Sequence, residues 1–210
     1  MKSSLRQFWS RLNGSVHPDD ALAFKSARHS FNLDFPPPAF IGDVDNAPVV
    51  ILMANGGFGS ATSREFPKQE DVQEYIDWLT GRRLAAPTNL SNYYTKNSYY
   101  RSIEAGKAVL VNAVAYRSPK ISKEPENAKF GKTLPSYRAH LNWLNNELIP
   151  QVKEGKRLVI AHRYTLWGLS SSQAIAENFI FSKNSVSESL SKETLQKVKE
   201  WQPTAPLHEQ

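Results

Sequence analysis

The chain has 210 residues, 40% hydrophobic and 22% charged, which is enough for one well-filled core and excludes fibrous and disordered classes. Its 26 Lys and Arg against 20 Asp and Glu give a net charge of +6 and a pI near 9.4, a balance that favours polyanions such as DNA without requiring them. Cysteine does not occur, which excludes disulfides, thiol nucleophiles, zinc ribbons and iron–sulfur clusters. No stretch approaches the roughly 18 apolar residues of a membrane span. The start, MKSSLRQFWSRLNG, has no uninterrupted apolar core of a signal peptide, so a cytoplasmic monomer is expected.

Residues 1–35 read as a helical extension, with Leu5, Phe8, Trp9 and Leu12 on one face and Asp19-Asp20 opening a second turn. Pro36-Pro37-Pro38 then imposes an extended segment, because each ring fixes φ and removes a donor. Val49 to Met53 is a continuous apolar run of the kind buried on both faces of a parallel sheet, and it leads into the loop Ala54-Asn55-Gly56-Gly57-Phe58. Similar runs follow at 108–111, 158–161 and 178–181. Helical spacing joins Val72, Tyr75, Ile76 and Leu79. It also joins Tyr137, Leu141, Leu144 and Leu148, where Pro150 is expected to stop the helix. Leu195, Val198 and Trp201 mark a last helix before a Pro-rich tail at 203–210 that is expected to fray. Alternating strands and helices imply one domain over 1–210. The expected architecture is a three-layer α/β/α sandwich around a central, mainly parallel four-stranded sheet.

Ligands of open α/β sheets bind beyond the carboxyl ends of the strands, so the residues there carry the functional argument. The first strand leads to Asn55-Gly56-Gly57, the second to Asn112, the third to His162-Arg163 and the fourth to Ser182-Lys183-Asn184-Ser185. Read from the residues alone, Asn-Gly is also a common turn pair, Asn112 also a strand-end cap, and His162 also a structural histidine.

MANGGFG at 53–59, preceded by FPPPAFIGDVDNAPVVIL, resembles the entry to the sheet in the uracil-DNA glycosylase superfamily, whose members carry loops such as GINPG or GQDPY. VLVNAVAYRSP at 109–119 resembles the superfamily strand that ends in a base-reading Asn, and LVIAHRYTLWGL is similar to the third strand and following helix of outlying members. The resemblance implies that Asn55 orients the attacking water and that Asn112 reads the edge of a flipped base. It further implies that Gly56, Gly57, Phe58 and His162 line the substrate site. The iron–sulfur branches are excluded, since they need cysteines.

The chain also departs from the superfamily pattern. Where the second catalytic loop usually reads HPS, residues 182–187 read SKNSVS, so the His is missing and Asn184 or Ser185 would have to donate to the departing base. Gly56 replaces a Pro and is expected to loosen the turn. Gly57 stands where the uracil-strict branch carries a Tyr that blocks carbon 5, so space for a 5-substituent is expected.

The resemblance implies hydrolysis of the N-glycosidic bond of a flipped modified or mismatched pyrimidine. An amide does not titrate near neutrality, so Asn55 can position water but not deprotonate it. A dissociative path follows, with donors stabilising charge on the leaving base, and turnover should be slow. No cofactor and no metal site is expected, because the histidines show no ligand spacing. Arg82-Arg83 and the run from Asn92 to Arg101 interleave aromatic, amide and basic groups, suited either to stacking on DNA or to packing. Ser60, Arg117, Lys183 and Ser187, with Lys120 and Lys123, are candidate phosphate contacts. Tolerance of large 5-substituents would suit defence against modified phage DNA. The alternatives are a catalytically inactive glycosylase-like module that binds DNA or protein, and a small nucleotide or nucleoside hydrolase. The loop lacks the Lys-Ser/Thr ending of a nucleoside-triphosphatase.

Overall fold

The computed structural model describes residues 2–59, 65–83, 85–183 and 189–203. Its centre is a five-stranded sheet among the described residues: β1 (Phe40–Ile41), β2 (Val49–Gly57), β3 (Ala108–Ser118), β4 (Leu158–Ala161) and β5 (Phe179–Phe181), in the order β1-β3-β2-β4-β5. All neighbours are parallel except β1 and β3. The four parallel strands are the four apolar runs of the sequence. β1 is an addition, two residues long and therefore too short to show a period.

β2, β3 and β4 are buried on both faces over their aliphatic stretches, β5 is half-buried, and the side chains divide by parity. Val50, Leu52, Val109, Val111, Val159 and Ala161 enter one core with Trp9, Leu12, Trp143 and Leu148. Val49, Ile51, Met53, Leu110, Leu158 and Ile160 enter the other with Tyr75, Tyr94, Ile103 and Val198. Each such side chain contributes about 1.5–3 kcal/mol on burial, so the two cores fix the sheet register.

Helix α1 (Ser4–Trp9) is capped by the Ser3 hydroxyl, which accepts the Arg6 N–H, and α2 (Ala21–Ser26) follows Asp20. α3 (Gln69–Leu79) begins at Lys68, whose N–H donates to the Asp71 carboxylate at 3.0 Å. α4 (Asn92–Thr95) and α5 (Tyr100–Glu104) come from the aromatic segment, and α6 (Pro125–Gly131) starts on a proline. α7 (Pro135–Trp143) does not stop at Pro150. It passes through a π-turn (Leu144–Leu148) into α8 (Ile149–Lys153). Proline lacks the N–H that an α-helical ladder would require, and the wider turn carries the chain past that gap. α9 (Lys192–Glu200) is capped by Ser191. Among the described residues no helix is long and apolar enough to cross a membrane.

Candidate functional site

The segment expected to be a loop, Ala54 to Gly57, is the end of β2. It stays paired because β3 runs on to Ser118, well past Asn112. The pairing is irregular there: Asn55 faces Val114, whereas Gly57 faces Ser118, so β3 takes the longer path over this interval. Such bulges re-aim side chains next to functional sites. Here the bulge brings Ser118 and the Tyr116 carbonyl to the Asn55 amide. Nδ2 donates to the Gly56 carbonyl at 2.9 Å and to Ser118 Oγ at 3.0 Å, with the Tyr116 carbonyl at 3.5 Å. Carbonyl oxygens only accept, so the nitrogen faces the strands and Oδ1 is the amide atom left for a ligand.

Asn55 is half-buried in a cleft of about 190 Å³ at the carboxyl ends of β2 and β3, lined also by Gly57, Tyr93, Lys120, Ser122 and Arg163. Small-molecule pockets usually measure roughly 300–1,000 Å³, so this cleft fits a single base or a phosphate group better than a whole nucleotide. A larger cavity, about 700 Å³, adjoins Gly42, Trp78 and Gly106. Two of its cations already have partners: Arg6 pairs with Asp45 at 3.0 Å and Arg83 with Glu74 at 2.6 Å. Chemistry rather than size therefore directs attention to the smaller cleft.

The two glycines differ. A Cβ on Gly56 would lie 2.1 Å from Pro38 Cγ, so the proline segment crosses this strand at a distance only glycine permits. Gly56 therefore marks a tight backbone contact within a strand, where the sequence predicts a loosened turn. A Cβ on Gly57 would meet the Tyr93 ring at 3.6 Å, an ordinary contact. The side of Gly57 expected to be open for a 5-substituent is therefore faced by the Tyr93 ring. Phe58 is half-buried just beyond it.

Asn112 is not at a strand end. It is buried in mid-β3, where its Nδ2 donates to the Pro38 carbonyl at 2.6 Å, and it does not line the cleft. His162 ends β4 in a buried position, with Nδ1 2.9 Å from Ser182 Oγ. Arg117 is not a surface contact for phosphate. Its guanidinium is 1% exposed, pairs with Glu65 at 3.1 Å and donates to the Pro36 carbonyl at 3.2 Å. Arg82 and Arg83 are likewise engaged, with Asp77 and Glu74. Lys183 is exposed. Ser60, Asn184, Ser185 and Ser187 lie outside the described residues, as does the tail from 204.

The aromatic segment is divided between core and cleft. Tyr94 and Tyr99 are core residues, whereas Tyr93 is half-buried at the cleft. Beneath Gly56, burial pushes the Glu65 carboxyl up against the pull of Arg117, and burial also raises the Tyr75 and Tyr94 hydroxyls. On the other face of the sheet, His140 Nε2 accepts the Trp9 indole N–H at 2.9 Å and Nδ1 donates to the Asn112 carbonyl at 2.6 Å. Burial lowers its pKa to about 4.

Two features at this strand end are not evident in the sequence, the buried Ser118 behind Asn55 and the approach of Tyr93 to Gly57. Ser118 had one available signal: the Ser-Pro pair at 118–119 marks where an apolar strand must end. No protein-family model matches the chain, and no curated protein or solved structure is significantly similar to it.

Proposed function

We propose that the chain is a monofunctional DNA glycosylase acting on a flipped pyrimidine, with the cleft at the end of β2 as its reaction site. The observation that carries this reading is the Asn55 amide, whose nitrogen is committed to Gly56 and Ser118 while its carbonyl oxygen remains for a ligand. That oxygen can accept a hydrogen from water and hold it near a sugar carbon, without acting as a base. The Lys120 and Arg163 side chains supply positive field for DNA phosphate or for charge on the departing base. Tyr93 lies within contact distance of where a Cβ on Gly57 would sit, so its ring, rather than a side chain at position 57, bounds the base on this side. Asn184 and Ser185 remain the proposed donors to the leaving base.

Strand-specific abasic-site formation on duplex and single-stranded DNA carrying uracil, mismatched thymine or 5-modified cytosine tests the proposal. Base release should occur with at least one substrate and disappear in Asn55→Ala. A folded protein that releases none of these bases sinks it. A second reading, a catalytically inactive module that binds DNA, is favoured by the Asn112 amide, which is spent on Pro38 rather than presented to a base. DNA affinity that is unchanged in Asn55→Ala but reduced in Lys120→Glu, with no base release by either protein, selects this reading.

A further inference from the structure

We infer that Ser118 is a positioning residue for Asn55, and that the bulge at the end of β3 exists to bring its hydroxyl to the amide. This deepens the proposed reaction and rests on it for its catalytic meaning, though the clamp itself can be read without any activity.

Met53 faces Asn112 and Asn55 faces Val114 in regular parallel pairing, but Gly57 faces Ser118. A regular ladder would leave Ser118 beyond the end of β2 and out of reach of Asn55. The longer path of β3 folds it back, and Oγ comes to 3.0 Å from Asn55 Nδ2. Ser118 is fully buried and absent from the cleft lining, so its hydroxyl does not touch a bound ligand. Its effect on a ligand must pass through Asn55.

A free asparagine amide on a half-buried strand end can turn by half a rotation and present either its nitrogen or its oxygen. Here three acceptors, the Gly56 carbonyl, the Ser118 hydroxyl and the more distant Tyr116 carbonyl, surround the nitrogen position. The reversed orientation would set the amide oxygen against two carbonyl oxygens. Only the orientation with Oδ1 toward the cleft satisfies the amide, and Ser118 contributes the one side-chain acceptor in the set. The strand end is itself pinned from its other side, where Arg117 pairs with Glu65 and donates to the Pro36 carbonyl.

Nuclear magnetic resonance of the ¹⁵N-labelled full chain tests the clamp. The Asn55 side-chain NH₂ pair is identified by its loss in Asn55→Ala. In Ser118→Ala that pair should shift, and its exchange with water should quicken about five- to tenfold, the factor one neutral hydrogen bond is worth, while the backbone spectrum stays native. With a substrate that the protein cleaves, kcat should fall by a similar factor and KM should stay within about twofold, the signature of an interaction acting on the reacting geometry. An Asn55 pair that is unmoved in Ser118→Ala overturns the clamp, whatever the activity. An Asn55 pair that responds in a protein that releases no base supports the clamp and defeats the glycosylase reading.

Discussion

Asn55 and Asn112 sit on adjacent strands of one sheet, two rungs apart in the same ladder, yet they have opposite standing. Asn112 is buried, its amide given to the Pro38 carbonyl and its own carbonyl to His140. Asn55 is half-buried, its nitrogen clamped and its oxygen left at a cleft. The same contrast extends to their neighbours. Arg117, Glu65, His140 and Gly56 belong with Asn112, committed to internal partners, whereas Gly57, Tyr93 and Lys120 belong with Asn55. Changes in the committed group should cost stability. Changes in the cleft group should cost ligand handling and leave stability nearly intact.

The largest expected effect tests the buried ion pair. Glu65→Ala leaves the Arg117 guanidinium buried without its carboxylate and should lower the unfolding free energy by about 3–5 kcal/mol in urea denaturation. The double replacement Glu65→Leu with Arg117→Met should recover most of that loss. A near-neutral single variant would move Arg117 out of the committed group.

Acid comes next. The His140 imidazole is neutral in the fold with a pKa of about 4, against about 6.5 when unfolded. Its contribution is therefore complete above pH 6.5 and is lost as pH falls toward 4, because the unfolded chain takes up the proton first. The loss should be on the order of 3 kcal/mol. His17, also lowered by burial, adds to the same slope. His140→Gln, which keeps a donor and an acceptor but does not titrate, should flatten the dependence of unfolding midpoint on pH. A slope unchanged by the substitution would remove His140 from this account.

The two glycines give the sharpest contrast at one atom's cost. Gly56→Ala drives a methyl into Pro38 and should destabilise by about 1–3 kcal/mol, whereas Gly57→Ala meets Tyr93 at contact distance and should be close to neutral in thermal unfolding. Equal losses at both positions would break the distinction. The smallest effects concern the asparagines themselves. Asn112→Ala strips the Pro38 carbonyl of its donor and should cost about 1–2 kcal/mol, while Asn55→Ala should cost under about 1 kcal/mol. A larger stability loss at Asn55 than at Asn112 would reverse the assignment of the two groups.

Much of this architecture was legible in the chain. The apolar runs at 49–53, 108–111 and 158–161 are strands, because side chains buried on both faces leave no room for polar residues. The spacing of Val72, Tyr75, Ile76 and Leu79 marks α3, and Leu5, Trp9 and Leu12 pack on the sheet as their face predicts. Asn55, at the polar end of β2, lines a cleft. The positions of Asn112 and Arg117 were not legible. The aliphatic run 108–111 predicts a strand end at Asn112, but the strand runs on to Ser118, and both residues are interior groups. Their partners are Glu65, Pro36 and Pro38, residues distant in the chain, and a linear pattern carries no record of such partners.

The sequence by itself determined the strands, their burial on both faces, most of the helical faces and the polar character of the strand ends, since all of these follow from local periodicity and side-chain chemistry. Tertiary structure alone decided which polar groups became interior and which face a cleft. That choice depends on where β3 bulges and what crosses Gly56. Register and close approach arise between segments distant in the chain, through contacts of a few ångströms that no single segment encodes.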